Sequence, residues 1–356
     1  MILDAEEFLE AAENYPVVDV RSPAEFQQGH IPGAINMPLF NNEERAVVGT
    51  LYKQSGRYAA LLKGLDIVGP KMSGFLKKAV AETKNKKVLV HCWRGGMRSE
   101  SMAWLFSRAG IETIILRGGY KAYRKHIRSR FERDMPLVIV GGMTGSGKTE
   151  LLHYLAKTGH QVVDLEGRAH HKGSAFGAIG QTEQPTSEQF ENDLAAYWKK
   201  LSAEKPVFIE DESRSIGSVS LPEPLFFQMR RAPVIKIEIP KPHRIQRLVR
   251  EYAKFENAKL KDALVRIHRR LGGQNEKEAI QALENQDYEK VAEITLGYYD
   301  KAYMKGLSKR ETQTIYPLAL STDDPEENAR QVLSFYQEKI AINGTHIFRL
   351  QRDHAG

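Results

Sequence analysis

The sequence predicts two consecutive α/β domains, residues 1–130 and 131–356, each built around a parallel β-sheet. A chain of 356 residues with 41% hydrophobic residues is long enough to bury two separate cores. In both halves, short apolar runs typical of strands alternate with helical segments. The alternation restarts near residue 136, and from Lys241 onward the sequence becomes helical and charged. We therefore expect two sheets, the second accompanied by a basic helical region.

Composition indicates where such a protein works. The sequence contains no run of about 18 apolar residues, the length needed to span a membrane. Its first residues, MILDAEEFLE, lack the basic and then apolar pattern of a secretory signal. The single cysteine, Cys92, cannot form an internal disulfide, which suits a reducing compartment. We expect a cytoplasmic protein that does not associate with membranes.

The first domain presents Cys92 at the end of a strand. The run KKVLVHC is followed directly by WRGGMRS, which opens a helix. At such a turn, backbone N–H groups and the positive end of the helix dipole stabilise a thiolate and bind anions. Arg94 and Arg98 add guanidinium groups suited to an oxyanion. We predict that Cys92 is a nucleophile assisted by Arg94 and Arg98, in a loop completed by Trp93, Gly95, Gly96 and Met97.

A second segment of this domain identifies a family. The stretch DVRSPAEFQQGHIPGAINMP, residues 19–38, resembles the signature of the rhodanese family. Together with the cysteine loop, the resemblance covers most of residues 1–130 and implies a rhodanese-like fold. In that family the signature is mainly architectural, so the resemblance implies structural roles for Asp19, Arg21, His30 and Gly33.

The spacing in the cysteine loop departs from that of sulfur-transferring rhodaneses. Those proteins usually place four residues between cysteine and arginine, whereas five separate Cys92 from Arg98. This spacing is similar to that of phosphatase-type relatives. A wider loop fits a tetrahedral, phosphate-sized group, which leaves two substrates open: a phosphoester, or a phosphate-like chalcogen donor such as selenophosphate.

The second domain opens with a phosphate-binding motif. The segment GMTGSGKT, residues 142–149, matches G-x4-G-K-[ST] and lies between the strand PLVIVGG and the helix KTELLHYLA, as the motif requires. Backbone N–H groups of such a loop surround phosphate oxygens, the lysine adds a positive charge, and Thr149 is a candidate ligand for Mg²⁺. ATP and other diphosphate esters present similar oxygens, so both remain open. The predicted diphosphate-binding residues are Gly142, Thr144, Gly145, Ser146, Gly147, Lys148 and Thr149.

Carboxylates follow two strands of this domain. The run KPVFIEDES ends in Glu210, Asp211 and Glu212, and HQVVDLEG contains Asp164. P-loop proteins place a carboxylate here, directed toward a metal or water, and we predict that role for Glu210, Asp211 or Asp164. The adjacent His170 and His171 point to different sides and have no evident third partner, so we predict no zinc site.

A basic segment extends from Gln228 to Asn275. It carries thirteen Lys and Arg residues against four acidic ones, and its net charge of +9 exceeds the +7 of the whole chain. Clustered cations bind polyanions by releasing counterions from phosphates, although a solvated helical face is an equal alternative. A second basic stretch covers residues 120–131. The candidate RNA-binding residues are Arg244, Arg247, Arg250, Arg266, Arg269 and Arg270.

The order of these motifs identifies a more specific family. A rhodanese-like domain followed by a P-loop domain, with HCWRGGMRS, VGGMTGSGKTELL and IEDESRSIG in that order, resembles the tRNA 2-selenouridine synthase family over essentially the whole chain. The resemblance implies a transferase that replaces sulfur by selenium in the wobble 2-thiouridine of tRNA. Sulfur is first alkylated by geranyl diphosphate. Selenophosphate then delivers selenium, and the geranylthio group leaves.

The same resemblance implies roles for the two motifs. The phosphate loop would hold the diphosphate of the prenyl donor, with Mg²⁺ on Thr149, and the basic segments would hold tRNA. Cys92 would attack or accept the selenium of selenophosphate, through a selenylated cysteine, with Arg94 and Arg98 binding the phosphate. An enzyme that produces selenophosphate is then an implied partner. The prenyl chain needs an apolar pocket, which the sequence does not locate.

Two other functions remain open at this stage. The first is a Cys-x5-Arg phosphatase fused to a P-loop kinase-like domain, which would release phosphate from a phosphoester without RNA. The second is an ATP-regulated RNA-binding adaptor with an inactive rhodanese fold, against which the intact Cys92 argues.

Overall fold

The computed structural model describes residues 1–83 and 86–341. Over these residues the chain forms two compact units, each containing a five-stranded sheet whose strands all run parallel. The α/β class predicted for both halves is therefore confirmed. No helix in this part of the chain combines the length and the apolar character needed to cross a membrane.

The division between the units is not a single cut in the sequence. The first unit comprises residues 1–131 and 188–199, and the second comprises residues 132–187 and those from 200 onward. The sequence-based division after residue 130 did not assign the segment 188–199 to the first unit.

The described part of residues 1–131 contains five strands and seven helices, with strand order β1-β5-β4-β2-β3. The strands are β1 (Ile2–Leu3), β2 (Val17–Asp19), β3 (Ile35–Asn36), β4 (Lys87–His91) and β5 (Glu112–Leu116). The helices are α1 (Ala5–Ala11), α2 (Pro23–Gln28), α3 (Asn42–Gln54), α4 (Gly56–Val68), α5 (Met72–Glu82), α6 (Met97–Arg108) and α7 (Gly119–Ser129). Short 3₁₀ turns follow α4 and α7, at Gly69–Lys71 and Arg130–Glu132.

Local sequence explains where several of these helices begin. Asp4, Ser22 and Asn41 precede α1, α2 and α3, and each side chain accepts a backbone N–H of the first turn. A glutamate at the third helical position returns a hydrogen bond in all three cases, which completes a capping box. Such caps satisfy N–H groups that no preceding turn can reach.

The core of the first sheet surrounds β4, which is central because β5 pairs with one edge and β2 with the other. Val88, Leu89 and Val90 are fully buried, as expected for a parallel strand covered on both faces. Met102 and Phe106 of α6 pack in the same core. The buried sheet thus fixes the end of β4, where the cysteine loop begins.

From residue 132 to residue 341, where the description ends, the chain forms seven strands and ten helices. The strands are β6 (Leu137–Gly142), β7 (Gln161–Val163), β8 (Val207–Glu210), β9 (Ser215–Ile216), β10 (Val219–Ser220), β11 (Val234–Glu238) and β12 (Ile315–Ala319). The helices are α8 (Lys148–Lys157), α9 (Leu165–Ala169), α10 (Ser187–Trp198), α11 (Glu223–Arg231), α12 (Lys241–Tyr252), α13 (Asn257–Arg266), α14 (His268–Leu271), α15 (Gly273–Glu284), α16 (Tyr288–Leu307) and α17 (Pro325–Phe335). A 3₁₀ turn lies at Thr312–Thr314 and a π-helical turn at Tyr336–Ala341.

The second sheet has strand order β12-β11-β6-β8-β7, and β9 and β10 form a separate antiparallel pair. Strand β6 is central, and every one of its residues is buried. The predicted helical region beyond Lys241 corresponds to α12–α16, of which α13, α15 and α16 share a separate apolar cluster.

Helix α10 packs in the first unit through polar as well as aromatic contacts. The Asn192 amide donates to the Tyr120 hydroxyl and to the His30 carbonyl, both at 2.8 Å. The Arg124 guanidinium donates to the Asn192 side-chain oxygen at 2.6 Å. The rings of Phe131 and Trp198 lie 5.7 Å apart. These contacts account for the assignment of residues 188–199 to the first unit.

Candidate active sites

The cysteine loop connects β4 to α6 and is fixed by the start of α7. The Tyr120 N–H donates to the Cys92 carbonyl at 2.8 Å, and the Lys121 N–H donates to the Trp93 carbonyl at 3.0 Å. Gly119 lies so close beneath the loop that an added Cβ would be 2.4 Å from the Cys92 carbonyl oxygen, and its φ is +61°. Only glycine is compatible with both conditions. The loop is therefore held by hydrogen bonds and by close packing.

The thiol itself is almost covered. Cys92 is 3% exposed and packs on its inner side with the apolar core of the sheet. Its Sγ lies 3.3 Å from the Ser99 Oγ and 3.9 Å from the Gly96 carbonyl oxygen. Cys92 also lines a cavity of about 1570 Å³. The sulfur is thus not sealed in apolar packing, because it borders both polar groups and this cavity.

The two predicted arginines of the loop are in different states. Arg98 forms an ion pair with Glu25 of α2, with Nη1–Oε2 at 2.6 Å and Nη2–Oε1 at 3.2 Å. Burial raises the pKa of the Glu25 carboxyl, but Arg98, the Ser22 N–H and Arg45 together lower it, and the net pKa lies below its ordinary value. Arg94 is exposed, and its guanidinium has no hydrogen bond or ion pair within the described residues. Both arginines line the cavity beside Cys92, as an anion-binding role requires, but Arg98 lies in the first turn of α6 and already pairs with Glu25 of α2.

The signature residues form a buried ionic cluster behind the loop. Arg21 and Asp19 are fully buried, with Nη2–Oδ2 at 2.6 Å, and the Arg21 guanidinium lies 3.7 Å from the centre of the Tyr120 ring. Burial lowers the pKa of His91, although the Asp19 carboxylate 3.7 Å away opposes that shift. His30 stacks on Phe26. These positions agree with the structural roles that the resemblance implied for Asp19, Arg21 and His30.

The cavity beside Cys92 is lined mainly by α2, α3, α4 and α6 in addition to the loop, with Met72 of α5 and Glu188 of α10. Its wall is largely apolar, and Trp93 and Met97 of the predicted loop line it together with residues of α3 and α4. The sequence analysis assigned no role to α3 and α4. The one signal was the group of apolar residues in the LLKGL segment of α4, which a helix can display on its surface.

The phosphate loop lies between β6 and α8, as its motif predicted. All seven predicted diphosphate-binding residues line one cavity of about 450 Å³. Gly145 and Gly147 have φ values of +78° and +75°, a conformation that glycine adopts readily. The Lys148 ammonium donates to the Gly142 carbonyl at 2.9 Å, and the Thr149 hydroxyl donates to the Glu166 carboxylate at 3.1 Å. The loop is therefore formed, with its lysine beside the glycine backbone.

Two of the arginines assigned to RNA binding belong to this site instead. Arg244 is 4% exposed, donates to the Thr144 carbonyl at 2.8 Å and pairs with Asp300. Arg247 is 9% exposed, pairs with Glu150 at 2.7 Å and lines the phosphate cavity. Both project from the face of α12 that packs on the phosphate loop, so the surface role predicted for them is wrong.

Of the three predicted carboxylates, one lies outside the phosphate cavity and two line it. Glu210 is fully buried, accepts the Leu165 N–H at 2.7 Å and does not line the cavity. Burial and the nearby negative charges of Asp164 and Glu166 raise the pKa of Glu210 well above its ordinary value. Glu210 therefore holds the backbone at Leu165 and does not reach the cavity. This position corrects its assignment as a metal ligand or base.

Asp164 and Asp211 do line the cavity, but each already has a partner. The Asp164 carboxylate accepts the Gly167 N–H at 2.6 Å, and Asp211 pairs with Arg310 at 2.6 Å. Two further carboxylates that were not selected, Glu166 and Glu212, also line it.

Glu212, like Glu210, has a raised pKa. Burial and the Glu166 carboxylate raise the pKa of Glu212 well above its ordinary value, while Lys148 opposes the shift. In the sequence, Glu166 and Glu212 could be noticed only because they follow the ends of strands. The neighbouring carboxylates follow the same strands, so this position did not single out Glu166 and Glu212. Among the described residues, no group of three or more His, Cys, Asp or Glu side chains could hold a metal ion.

Part of the lining of the phosphate cavity is apolar and aromatic. It comes from α12, α13 and α16, whose contributing side chains include Leu248, Tyr252, Leu260, Val291 and Tyr299. The cavity therefore offers both anion-binding backbone and apolar surface. An amphiphilic phosphate ester matches both.

The other four arginines that were assigned to RNA binding are exposed. Arg266, Arg269 and Arg270 lie at the solvent surface around α13 and α14, and Arg250 is exposed although it pairs with Asp323. On α7, the exposed cations are Lys121, Lys125 and Arg128. Exposed cations of this kind are available to a polyanion.

Comparison with known proteins adds an independent line of information. A family model described as the tRNA 2-selenouridine synthase AAA domain matches residues 135–320, and a Rhodanese-like domain model matches residues 4–126. A tRNA 2-selenouridine synthase of Nitrosomonas europaea is 33% identical over 357 residues, which cover 85% of this chain and 91% of that protein. A tRNA 2-selenouridine synthase of Bdellovibrio bacteriovorus is 36% identical over 356 residues, covering 85% and 92%.

Solved structures are similar to part of this chain. The N-terminal domain of a putative ATP/GTP binding protein from Clostridium difficile 630 is 39% identical, with a TM-score of 0.33, and covers 36% of this chain and 98% of that chain. The predicted rhodanese-like and P-loop domains are confirmed by the two family models. Since curated relatives match over most of both lengths, the chain belongs to the tRNA 2-selenouridine synthase family.

Proposed function

We propose that this enzyme is a transferase that replaces the sulfur of a 2-thiouridine in tRNA by selenium, in two steps at two sites. Geranyl diphosphate alkylates the sulfur at the phosphate cavity, and selenophosphate then supplies selenium at Cys92. The observation that carries this proposal is the lining of the phosphate cavity, which combines the glycine loop with aromatic and aliphatic side chains. A prenyl diphosphate has both parts that such a cavity accommodates. Since the substrate is tRNA, we propose the cytoplasm as the place of action.

In the first step, the sulfur of the base attacks the first carbon of the geranyl group. The carbon–oxygen bond breaks, its electron pair leaves with the diphosphate, and ring nitrogen N3 of the base releases its proton. Backbone N–H groups of Gly145 and Gly147, together with Lys148 and Arg247, stabilise the negative charge that grows on this leaving group. The donors are preorganised because the loop is already formed, so little reorganisation is needed during reaction.

The chemistry of the phosphate loop also fits Mg²⁺. The Thr149 hydroxyl and the Glu166 carboxylate lie 3.1 Å apart at the cavity wall, and both are hard oxygen ligands. These two residues would hold the ion. When bound, Mg²⁺ would supply charge neutralisation to the diphosphate.

The second step needs a better leaving group than a carbonyl-like sulfur. Alkylation provides it, because the geranylthio group can depart as a neutral thiol. We propose that the Cys92 thiolate attacks carbon 2 of the alkylated base and displaces geranylthiol, which takes up a proton. The selenium of selenophosphate then attacks the same carbon and displaces Cys92. Water attacks phosphorus, the phosphorus–selenium bond breaks, and phosphate is released.

This route conserves oxidation states throughout. Selenium has the same oxidation level in selenophosphate as in the product, so neither displacement requires a reductant. The selenylated cysteine that the family resemblance implied would leave phosphorus reduced and would need a reductant to release selenium. We therefore assign the covalent bond of Cys92 to the base rather than to selenium.

The two arginines of the loop then have separate roles. Arg94 is exposed and unpaired among the described residues, and it binds the phosphate group of selenophosphate. Arg98 positions the loop through Glu25. The exposed cations of α7, α13 and α14 bind the tRNA backbone. An enzyme that makes selenophosphate must supply the second step.

Nucleoside mass spectrometry tests the proposal. Purified protein is incubated with tRNA that contains 2-thiouridine, with each donor alone and with both together. We expect S-geranyl-2-thiouridine with geranyl diphosphate alone and 2-selenouridine only when both donors are present. Phosphate release from generic phosphoesters without RNA, combined with unchanged tRNA, would favour the phosphatase alternative instead.

A further inference from the structure

The cavity beside Cys92 is larger and more apolar than a selenophosphate site requires. Its volume of about 1570 Å³ exceeds the roughly 300–1,000 Å³ typical of pockets for small ligands. Selenophosphate is a small, highly charged ion that gains nothing from an apolar wall. The cavity therefore has space and surface for a second, apolar group next to the thiol.

The apolar side chains of the cavity follow helical periodicity. On α4, Leu61, Leu65 and Val68 are spaced so that they lie on one face, and all three line the cavity. On α6, Met97 and Trp104 are two turns apart and also line it. Leu65 is 59% exposed and Trp104 is 52% exposed, so a large part of each side chain is not covered by packing within the unit. Exposed apolar surface of this kind marks a binding site.

Positive charge accompanies the apolar wall. Arg45, Lys53 and Arg57 from α3 and α4 line the same cavity, as does the unpaired Arg94 of the loop. A ligand that satisfies this lining has an apolar chain, is joined to an anionic molecule and carries a reactive atom near the thiol. An S-alkylated nucleoside in an RNA chain has these three properties.

We infer that this cavity binds the S-linked prenyl chain of the alkylated nucleoside, with Leu65 and Trp104 in contact with the chain. The inference rests on the proposed function, since it concerns the substrate of the second step. A chain held by α4 and α6 would orient the carbon–sulfur bond toward Cys92 and hold geranylthiol as it leaves. The enzyme would then distinguish alkylated from unalkylated bases by the apolar chain.

A series of substrates with different chains tests this inference. An anticodon stem-loop RNA with 2-thiouridine is alkylated chemically with methyl, dimethylallyl or geranyl groups. Selenation of each is measured as kcat/KM with the full chain and selenophosphate. Each buried methylene strengthens binding by roughly fourfold, so we expect wild-type kcat/KM to rise steeply from methyl to geranyl.

Variants of the cavity wall provide the decisive comparison. Leu65→Ser and Trp104→Ala should each reduce the ratio of geranyl to methyl kcat/KM by roughly tenfold. Leu62→Ser is the matched control, because Leu62 lies on the same helix, is 46% exposed and does not line the cavity. Its ratio should equal that of the wild type.

The outcomes separate this inference from the proposed function. If the wild type selenates S-alkylated RNA but the ratio is insensitive to chain length, or both wall variants retain the wild-type ratio, the inference is overturned and the proposed function stands. Equal losses for methyl and geranyl substrates would reveal a merely structural role and also overturn it. If the wild type selenates no alkylated substrate, the proposed function fails and the inference with it.

Discussion

The Arg98 guanidinium and the Glu25 carboxylate form a two-point ion pair, with Nη1–Oε2 at 2.6 Å and Nη2–Oε1 at 3.2 Å. The pair joins the first turn of α6 to α2, so it connects the end of the cysteine loop to the rhodanese signature. The arginine that the spacing suggested for anion binding is therefore already paired with a carboxylate. Arg94, which also lines the cavity, is unpaired within the described residues.

Replacing Glu25 by Gln should lower the free energy of unfolding of the protein, and the size of this loss should depend on pH. The pKa of Glu25 is lowered in the folded protein. The ion pair with Arg98 therefore stabilises the fold at pH values above 4.5, the ordinary pKa of the carboxyl, and this stabilisation is lost as the pH falls through the lowered pKa. Urea unfolding should show Glu25→Gln less stable than wild type by about 1 kcal/mol at neutral pH, with a smaller difference near pH 4. The exposed Glu82 offers a control, Glu82→Gln. A constant difference across this pH range would contradict the assigned charge state.

Replacing Cys92 by Ala should separate the two steps. The thiolate acts only after alkylation, so the variant should produce no 2-selenouridine and should accumulate S-geranyl-2-thiouridine. Mass spectrometry of nucleosides from tRNA treated with both donors measures both products. Equal loss of the two products would refute the division of labour, provided that circular dichroism confirms the fold.

Replacing Lys148 by Ala should have the opposite effect. Loss of its positive charge removes stabilisation of the leaving diphosphate, and we expect kcat for alkylation to fall on the order of 10²-fold. Selenation of tRNA that has been alkylated beforehand should remain. The control is Lys157→Ala at the exposed end of α8. Undiminished alkylation by the Lys148 variant would exclude the phosphate loop as the diphosphate site.

Replacing exposed and buried arginines should give different salt dependences. Arg269→Ala and Arg270→Ala should each weaken tRNA binding and reduce the slope of log K against log salt by about 1. Arg247→Ala should impair diphosphate binding with no change in that slope, because Arg247 is covered by its partners. Fluorescence anisotropy with labelled tRNA over a salt series measures the slopes. Identical slopes for wild type and the exposed variants would place the tRNA elsewhere.

The parts of the fold that were predictable depend on neighbours in sequence. The phosphate loop requires a strand, a glycine turn and a helix in succession, so its conformation follows from residues 137–157 alone. The position of Cys92 at the end of β4 follows from the same kind of local order. Burial of parallel strands produced the apolar runs that revealed both sheets.

The parts that were missed depend on residues far apart in the chain. Glu25 lies far from Arg98 in sequence, and no local pattern reports that pair. Counting charges in α12 could not reveal that Arg244 and Arg247 face the phosphate loop rather than solvent. The contribution of α10 to the first unit depends on hydrogen bonds such as that from Asn192 to Tyr120, which pattern analysis cannot detect.

The apolar wall formed by Leu65, Trp104 and their neighbours has a practical consequence for work with the isolated protein. Without its substrate, this wall is in contact with water, a state that favours capture of detergent, fatty acids or membrane-derived isoprenoids during cell lysis. Organic extraction of a purified sample would reveal such co-purified apolar molecules. Delipidated preparations are therefore the proper starting material for crystallisation and calorimetry.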